Sequence, residues 1–364
     1  MHPGRHAQGG DAVVDRRRSA QLVGVSAHAA IAFALLAGCS GGTPAAGPEP
    51  SRPSTVDVTP TPSDSATPAS SRSGTTSAPS APTPTPAPTP DAQRAYADVV
   101  ALAGDIGPRE STSEEFQRAA DLVERRFSDL GYDVRRQDFQ VPAGASEWGA
   151  VPAGTSTNVI ATPPGLAPGD RHVVVGAHLD TVPLAPGAED NASGVAVMLE
   201  LARLAAGASL APGSLTSVQV VFVAFGAEEP RAAFNPDHTY HHFGSREYVR
   251  LMDPAQRASL VGAISLDRVG VGTVVPVSSA AIGPATLRDA LLAAGTVAGV
   301  QVLADETNTS SDHLQFELAG LTGARVGSTP YAGYHSPDDV PTVVSADQMA
   351  RVITLTWTTL QALR

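Results

Sequence analysis

Three runs of this chain are apolar almost throughout: Val173 to Val175, the segment VQVVFVAF from Val218 to Phe225, broken only by Gln219, and Val261 to Leu266, broken only by Ser265. A strand with one face in water alternates polar and apolar residues, so strands without that alternation must be covered on both faces. Segments of helical period lie between and around them. Phe116, Ala119, Ala120, Val123 and Phe127 recur at helical spacing. From Asn191 to Ala206 the apolar positions Val195, Val197, Met198, Leu199, Leu201 and Leu204 cover most of a helix's circumference, as a sandwiched helix requires. Leu287 to Ala298 reads as a further helix, and Met349, Val352, Ile353, Leu360 and Leu363 share one face of a closing helix. Strands alternating with helices predict an α/β fold: a single domain on a mixed, mostly parallel β-sheet with helices on both faces.

Smaller signals set the boundaries. Asp91 to Ala103 reads as a first helix, and Ser111-Thr112-Ser113-Glu114 offers a capping box for the next, which Gly131 ends as a C′ glycine. Tyr132 to Val141, Thr157 to Ala161 and Leu321 to Val326 complete the strands.

Composition confines this folded unit to residues 91–364. Ser40 to Pro90 is almost entirely Ser, Thr, Pro, Ala and Gly, closing in TPTPAPTP, and has too little apolar surface to bury. It reads as an extended, disordered tether leaning towards polyproline II. Before it, Arg16-Arg17-Arg18 precede an apolar run from Leu22 to Ala37, broken only by Ser26 and His28, the layout of an export signal. The run ends in Leu36-Ala37-Gly38-Cys39, which resembles the bacterial lipobox, where the cysteine thiol is acylated and becomes the mature N-terminus. Residues 1–38 are thus expected to be a signal peptide, 39–90 a lipidated Cys39 with its tether, and the protein to be exported and held by lipid on the outer face of the cytoplasmic membrane. The chain's single cysteine falls at this position, leaving no intrachain disulfide and no thiolate metal ligand. All 24 basic residues are arginine and the formal charge is −12, which argues against nucleic acid as a partner. A monomer is expected.

The chemistry lies where the strands stop. The Val173 strand releases His178 and Asp180, with Asp190 following in GAEDNASG. The Val218 strand runs into Glu228-Glu229, the Val261 strand into Asp267, and the segment after the Leu321 strand carries Tyr334-His335-Ser336-Pro337-Asp338-Asp339. Open α/β sheets bind ligands at the carboxyl ends of their strands. Any one of these residues alone is an ordinary solvated loop residue; their convergence on one edge carries the reading. Two histidines and three carboxylates are what a pair of zinc ions requires, one carboxylate bridging. In the Glu228-Glu229 pair, one carboxylate can bind metal while the other serves as general base.

The pieces GAHLD, GAEDNASG, FGAEE, Leu266-Asp267, SDHLQF and YHSPDD, in this order, resemble the M28 family of zinc aminopeptidases, the bacterial leucyl-type enzymes, over nearly all of Asp91 to Arg364. The resemblance implies a zinc-dependent exopeptidase fold with two zinc ions per chain. It puts His178 and Asp267 on one ion, Glu229 and His335 on the other, and Asp190 between them. Glu228 becomes the general base, Asp180 the partner that fixes the His178 ring, and Tyr334 a stabiliser of the oxyanion. It also implies a cis peptide after Asp190, and places Ser311-Asp312-His313 near the substrate pocket, with His313 a hydrogen-bonded loop residue. The implied reaction is hydrolysis of N-terminal peptide bonds in peptides or proteins. Alternatives on the same scaffold are a single-zinc glutaminyl cyclase, a carboxypeptidase or dipeptidase, and a binding protein that has lost its ligands; the filled ligand positions and base speak against the last. One departure stands out: PRAAFNPDHTYHHF, Pro230 to Phe243, replaces the family's short turn between Glu229 and Gly244-Ser245. It brings His238, His241 and His242, and is expected to be either a surface loop or a rim over the pocket.

Overall fold

The structure, a computed structural model, describes residues 88–209, 218–233, 239–305 and 307–363. The expected signal peptide, Cys39 and nearly all of the tether lie outside the described residues. Helix α1 (Ala92–Val99) starts at Asp91, whose carboxylate accepts the Arg94 N–H at 3.0 Å, and runs on into a wider π-type turn over Val100–Ile106. Helix α2 (Glu114–Asp129) is capped by Ser113, whose hydroxyl accepts the Phe116 N–H at 3.0 Å. The expected capping box with Ser111 is therefore displaced by two residues. Ser111 has another task, accepting a hydrogen bond from Arg231 Nη1 at 2.8 Å.

Strand β1 (Asp133–Val141) is followed by a short hairpin, β2 (Gly144–Ser146) and β3 (Gly149–Val151), and then by β4 (Gly154–Thr162). Next come β5 (His172–His178), α3 (Gly194–Ser209), β6 (Gln219–Phe225), α4 (Phe243–Arg250), α5 (Pro254–Ser259) and β7 (Leu260–Leu266). The chain closes with β8 (Val275–Ser278), α6 (Thr286–Ala298), β9 (Val302–Asp305), α7 (His313–Leu318), β10 (Gly323–Val326) and α8 (Ala346–Ala362). The eight-stranded sheet has the order β1-β4-β6-β5-β7-β10-β8-β9. Its centre, β6-β5-β7-β10, is parallel throughout; β1, β4 and β8 join antiparallel, and β9 lies parallel to β8.

Helices cover both faces, as the mostly apolar, non-alternating strands demand. Val173, Val175 and Ala177 point to the face held by α1, α2, α3, α6 and α8, together with Phe222, Ala224 and Ile264. Val174, Val221, Val223 and Ala263 point the other way, against Tyr248 and Val249 of α4 and Phe316 of α7. This is the two-residue period of a strand read on both sides. The three β5 valines are at most 1% exposed, and burying each contributes about 1.5–3 kcal/mol. Helix α3 is buried from Val195 to Ala202 and packs on the sheet, α1 and α8.

Candidate metal centre

The parallel central strands all end at one edge of the sheet, and the polar residues that follow them meet there. His178 is the last residue of β5. Its Nδ1 lies 3.1 Å from the carbonyl oxygen of Asp180; a carbonyl only accepts, so Nδ1 carries a proton and Nε2 is the atom turned to the carboxylates. That Nε2 is 3.0 Å from Asp190 Oδ1. Asp190 sits in the kink between β5 and α3, and its peptide bond to Asn191 is cis. Its second oxygen, Oδ2, is 3.1 Å from His335 Nε2, which is also 3.1 Å from Glu229 Oε2. Asp267 follows β7 directly, with Oδ1 3.2 Å from Arg268 Nε and Oδ2 3.3 Å from Arg325 Nε. The structure thus brings His178, Asp190, Glu228, Glu229, Asp267 and His335 into one buried cluster.

Asp180 supports this cluster differently from expectation. Its backbone carbonyl, not its carboxylate, makes the closest contact with the His178 ring; carboxylate Oδ1 stands 3.8 Å from Nδ1. The carboxylate instead accepts the backbone N–H groups of Glu228 and Glu229 at 3.0 and 3.2 Å, fixing the turn after β6. No role is read from the sequence for the other supports. The Asp339 carboxylate accepts the N–H groups of Glu189 and Asp190 at 2.8 and 3.0 Å and the Tyr331 hydroxyl at 2.9 Å. Asn191 donates to the Leu266 carbonyl at 2.8 Å, and its Oδ1 accepts from Arg268 N–H at 3.1 Å, tying the ends of β5 and β7 together. Arg109 is fully buried and donates to the carbonyls of Leu179, Pro186 and Gly187, which frame the loop between His178 and Asp190. A lone buried arginine in a loop has no periodic signature from which to read this.

Aromatic groups and the insertion wall the pocket above the cluster. Tyr334 stacks on His335 at 3.8 Å between ring centroids, and Trp148, in the turn between β2 and β3, meets the same histidine edge-on at 4.3 Å. The Arg268 guanidinium lies 4.7 Å over the Tyr334 ring. The described part of the insertion is anchored by backbone: Arg231 N–H donates to Tyr240 at 3.0 Å, and His242 N–H to Glu228 at 3.0 Å. Pro230, His241 and His242 line the pocket, so this part forms a rim; His238 lies outside the described residues. His242, only 1% exposed, places Nε2 3.0 Å from Glu228 Oε1, while Glu228 Oε2 is 3.9 Å from His178 Nε2. The sequence indicated only that three histidines entered with the insertion. His313 opens α7, fully buried, with Nε2 2.7 Å from the Asn308 carbonyl and outside the cluster. The pocket measures ≈ 190 Å³.

Burial raises the carboxyls of both Glu228 and Glu229. Burial also acts on Asp190, but the hydrogen-bonded His178 and His335 outweigh it and hold that carboxyl well below its usual range. For Asp267, Arg325 and then Arg268 overcome burial and bring it to about 2. Burial opposes protonation of His335, yet Glu229 and Asp190 reverse this and lift it. Such a crowd of buried carboxylates requires positive charge. The donor set meets the demands of zinc. Ligand atoms of His178, Asp190 and Asp267 lie within 4.8 Å of one another, as do those of Asp190, Glu229 and His335 and those of His178, Glu228 and Glu229. Glu229 Oε1 is buried without a hydrogen-bond partner, which a coordinating oxygen would explain. Imidazole and carboxylate donors with no thiolate suit a zinc site that keeps open positions.

The chain is similar to several known proteins. Aminopeptidase YwaD of Bacillus subtilis (strain 168) is 30% identical over 191 residues, 49% of this chain and 38% of that protein. The match therefore spans well under half of that relative's length. A solved zinc aminopeptidase from Bacillus subtilis, BSAP, superposes with a TM-score of 0.65 at 19% identity, covering 75% of this chain and 95% of that one. The glutaminyl cyclase of Fimbriiglobus ruber gives 0.59 at 24% identity over 74% and 95% of the two chains. At these identities the structures establish a shared α/β fold. Residues 158–360, more than half of the 364, match the sequence profile of Peptidase family M28, and the chain belongs to that family.

Proposed function

We propose that the protein is an aminopeptidase that hydrolyses N-terminal peptide bonds at a centre for two zinc ions, with Glu228 as general base. One observation carries the reading: the two oxygens of Asp190 face different histidines, Oδ1 to His178 at 3.0 Å and Oδ2 to His335 at 3.1 Å, the posture of a bridging ligand. Asp267 would join His178 on one side of the bridge and Glu229 would join His335 on the other. Zinc, when bound, supplies Lewis acidity towards a peptide carbonyl and acidifies water to a pKa of roughly 7. The protein's own groups do the rest. Glu228, held through Oε1 by His242, takes the proton of the attacking water and delivers it to the amide nitrogen as the C–N bond breaks. Tyr334, its phenol raised by burial and then by Asp190 and Glu229, keeps its proton and can donate to the developing oxyanion. The aromatic wall and the rim of the insertion limit access to a chain end.

A panel of aminoacyl-arylamides and N-acylated peptides, with and without chelator, tests this on wild type and Glu228→Ala. Free amino termini should be required, and the substitution should reduce kcat by about 10²–10⁴-fold. Cleavage of N-acylated peptides, or activity that survives at Glu228→Ala, would sink the mechanism. A second reading, a single-zinc cyclase of N-terminal glutamine, draws support from Asp267, both of whose oxygens are held by guanidinium groups. Metal counting separates them: two zinc ions per chain for the peptidase, one for the cyclase. Export and lipid anchoring at Cys39 belong to the same proposal, with the enzyme a monomer on the outer face of the cytoplasmic membrane. Cys39→Ser should release it from membranes; retention would argue for an uncleaved apolar helix instead.

A further inference from the structure

Among the described residues that line the pocket, Arg268 is the only arginine. It shares its nearest acidic neighbour, Asp267, with a second arginine. Arg325, 5% exposed, already holds Asp267 through Nε on Oδ2 at 3.3 Å and Nη2 on the backbone carbonyl at 2.9 Å. Arg268 spends only Nε on Asp267 Oδ1, at 3.2 Å. Its backbone is pinned at φ 57 by the N–H bond to Asn191, and its guanidinium is laid over the Tyr334 ring at 4.7 Å. Neither Nη group hydrogen-bonds to any described residue, and the side chain keeps 22% of its exposure. The result is an oriented fork, the shape that pairs with a carboxylate through two parallel hydrogen bonds.

The cluster uses this cation only in part, since Nε alone meets a carboxylate. The proposed substrate enters with a cationic amine, and two like charges in a small pocket repel. The conflict vanishes if the substrate itself brings a carboxylate. The neighbouring Thr309 and Ser310, also in the pocket wall, are neutral, and the pocket's carboxylates, Asp190, Glu228, Glu229 and Asp267, belong to the metal cluster.

We propose that Arg268 is a substrate-recognition residue that selects peptides carrying a carboxylate close to the amino terminus. This rests on the exopeptidase reading above. That carboxylate has two sources, an acidic first side chain or the free C-terminus of a dipeptide, and the chemistry of recognition is the same. The test uses the full-length, metal-loaded protein and two substrate pairs that differ only in the carboxylate. One pair is Glu- against Gln-p-nitroanilide; the other is Leu-Leu against its C-terminal amide. Wild type should favour the acidic member by ten- to a hundredfold in kcat/KM in one arm, and that arm identifies the source. Arg268→Gln should bring the ratio close to one, and Arg268→Lys should keep part of it. Titration calorimetry of Glu228→Gln protein with Glu-Ala-Ala and Gln-Ala-Ala amides, and with the Leu-Leu pair, reads recognition without turnover. If no peptide is cleaved but the carboxylate preference in binding persists and falls with Arg268, the hydrolytic reading fails and the inference stands. No preference in wild type in either arm overturns it, whatever the variants do, and so does a preference that survives Arg268→Gln in folded protein.

Discussion

Glu228 and Glu229 are consecutive, yet their carboxylates face different neighbours, His242 and His178 for the first and His335 for the second. His242 is therefore a positioning residue: it fixes Oε1 and leaves Oε2 directed to the centre. His242→Ala should lower kcat about tenfold, roughly 1.4 kcal/mol, with KM little changed, and His242→Gln, which can still donate, should recover most of it. A merely structural role would move KM and thermal stability instead and would not be rescued. At this scale the sequence was readable where an apolar strand ran straight into a charged residue, as at His178, Glu228, Glu229 and Asp267. It was silent at His242, which reaches the site by folding of an insertion, and Arg268 carried a signal only through adjacency to Asp267. His313 carries a second prediction at this scale. Burial lowers its pKa from 6.5 to about 4. Between those values the unfolded chain binds more protons than the folded one, so stability should rise with pH across the window and be lost as pH falls through it, by at most about 3 kcal/mol. Denaturation at pH 7.5 and 4.5 should show a smaller pH effect for His313→Gln than for wild type, and equal slopes would refute the assignment.

Elements were legible in proportion to their length and periodicity. Strands β5, β6 and β7 and helices α2, α3 and α8 each carry an unbroken pattern. Strands β8 and β9 do not: each spans 4 residues, β8 contains Pro276, and β9 is half-buried or exposed along its whole length. Helix α4, only 8 residues long, lies behind the insertion, and its position is set by packing and not by its own pattern. Gly244 in its first turn shows how close that packing is. A Cβ there would stand 2.3 Å from the Gly226 carbonyl oxygen and 2.4 Å from Asn158 Oδ1. Asn158 itself joins the two segments, accepting the Gly226 N–H at 3.0 Å and donating to the Gly244 carbonyl at 2.9 Å. Because the obstruction is backbone, it cannot rotate away. Gly244→Ala should therefore cost about 1–3 kcal/mol in denaturant unfolding. It should also lower kcat, since His242 precedes this turn by two residues. An unchanged midpoint would mean that α4 is free to shift.

At the scale of the molecule, the sequence supplied the layers but not the strand order. Which strands neighbour one another depends on pairings far apart in the chain, such as β10 between β7 and β8, that no local pattern encodes. The order matters because it makes β6, β5, β7 and β10 consecutive, so the residues after them come from segments remote in sequence and adjacent in space. Ions bound there would cross-link those strand ends and bind the folded state alone, since the unfolded chain has no such cluster. Such binding stabilises by mass action, about 2.7 kcal/mol at a hundredfold excess over Kd and about 4.1 at a thousandfold. For a domain of this size that corresponds to a loss of roughly 5–15 °C in Tm on chelation. The loss should be reversed by zinc and absent in Asp190→Ala, where neither half of the centre is complete. Without metal, His178 and His335 are the partners that Asp190 retains, so Asp190→Ala should melt lower than metal-free wild type and should also lose its response to zinc. A wild-type Tm indifferent to chelator, or an Asp190→Ala protein that still gains from zinc, would place the stabilising ions somewhere other than this cluster.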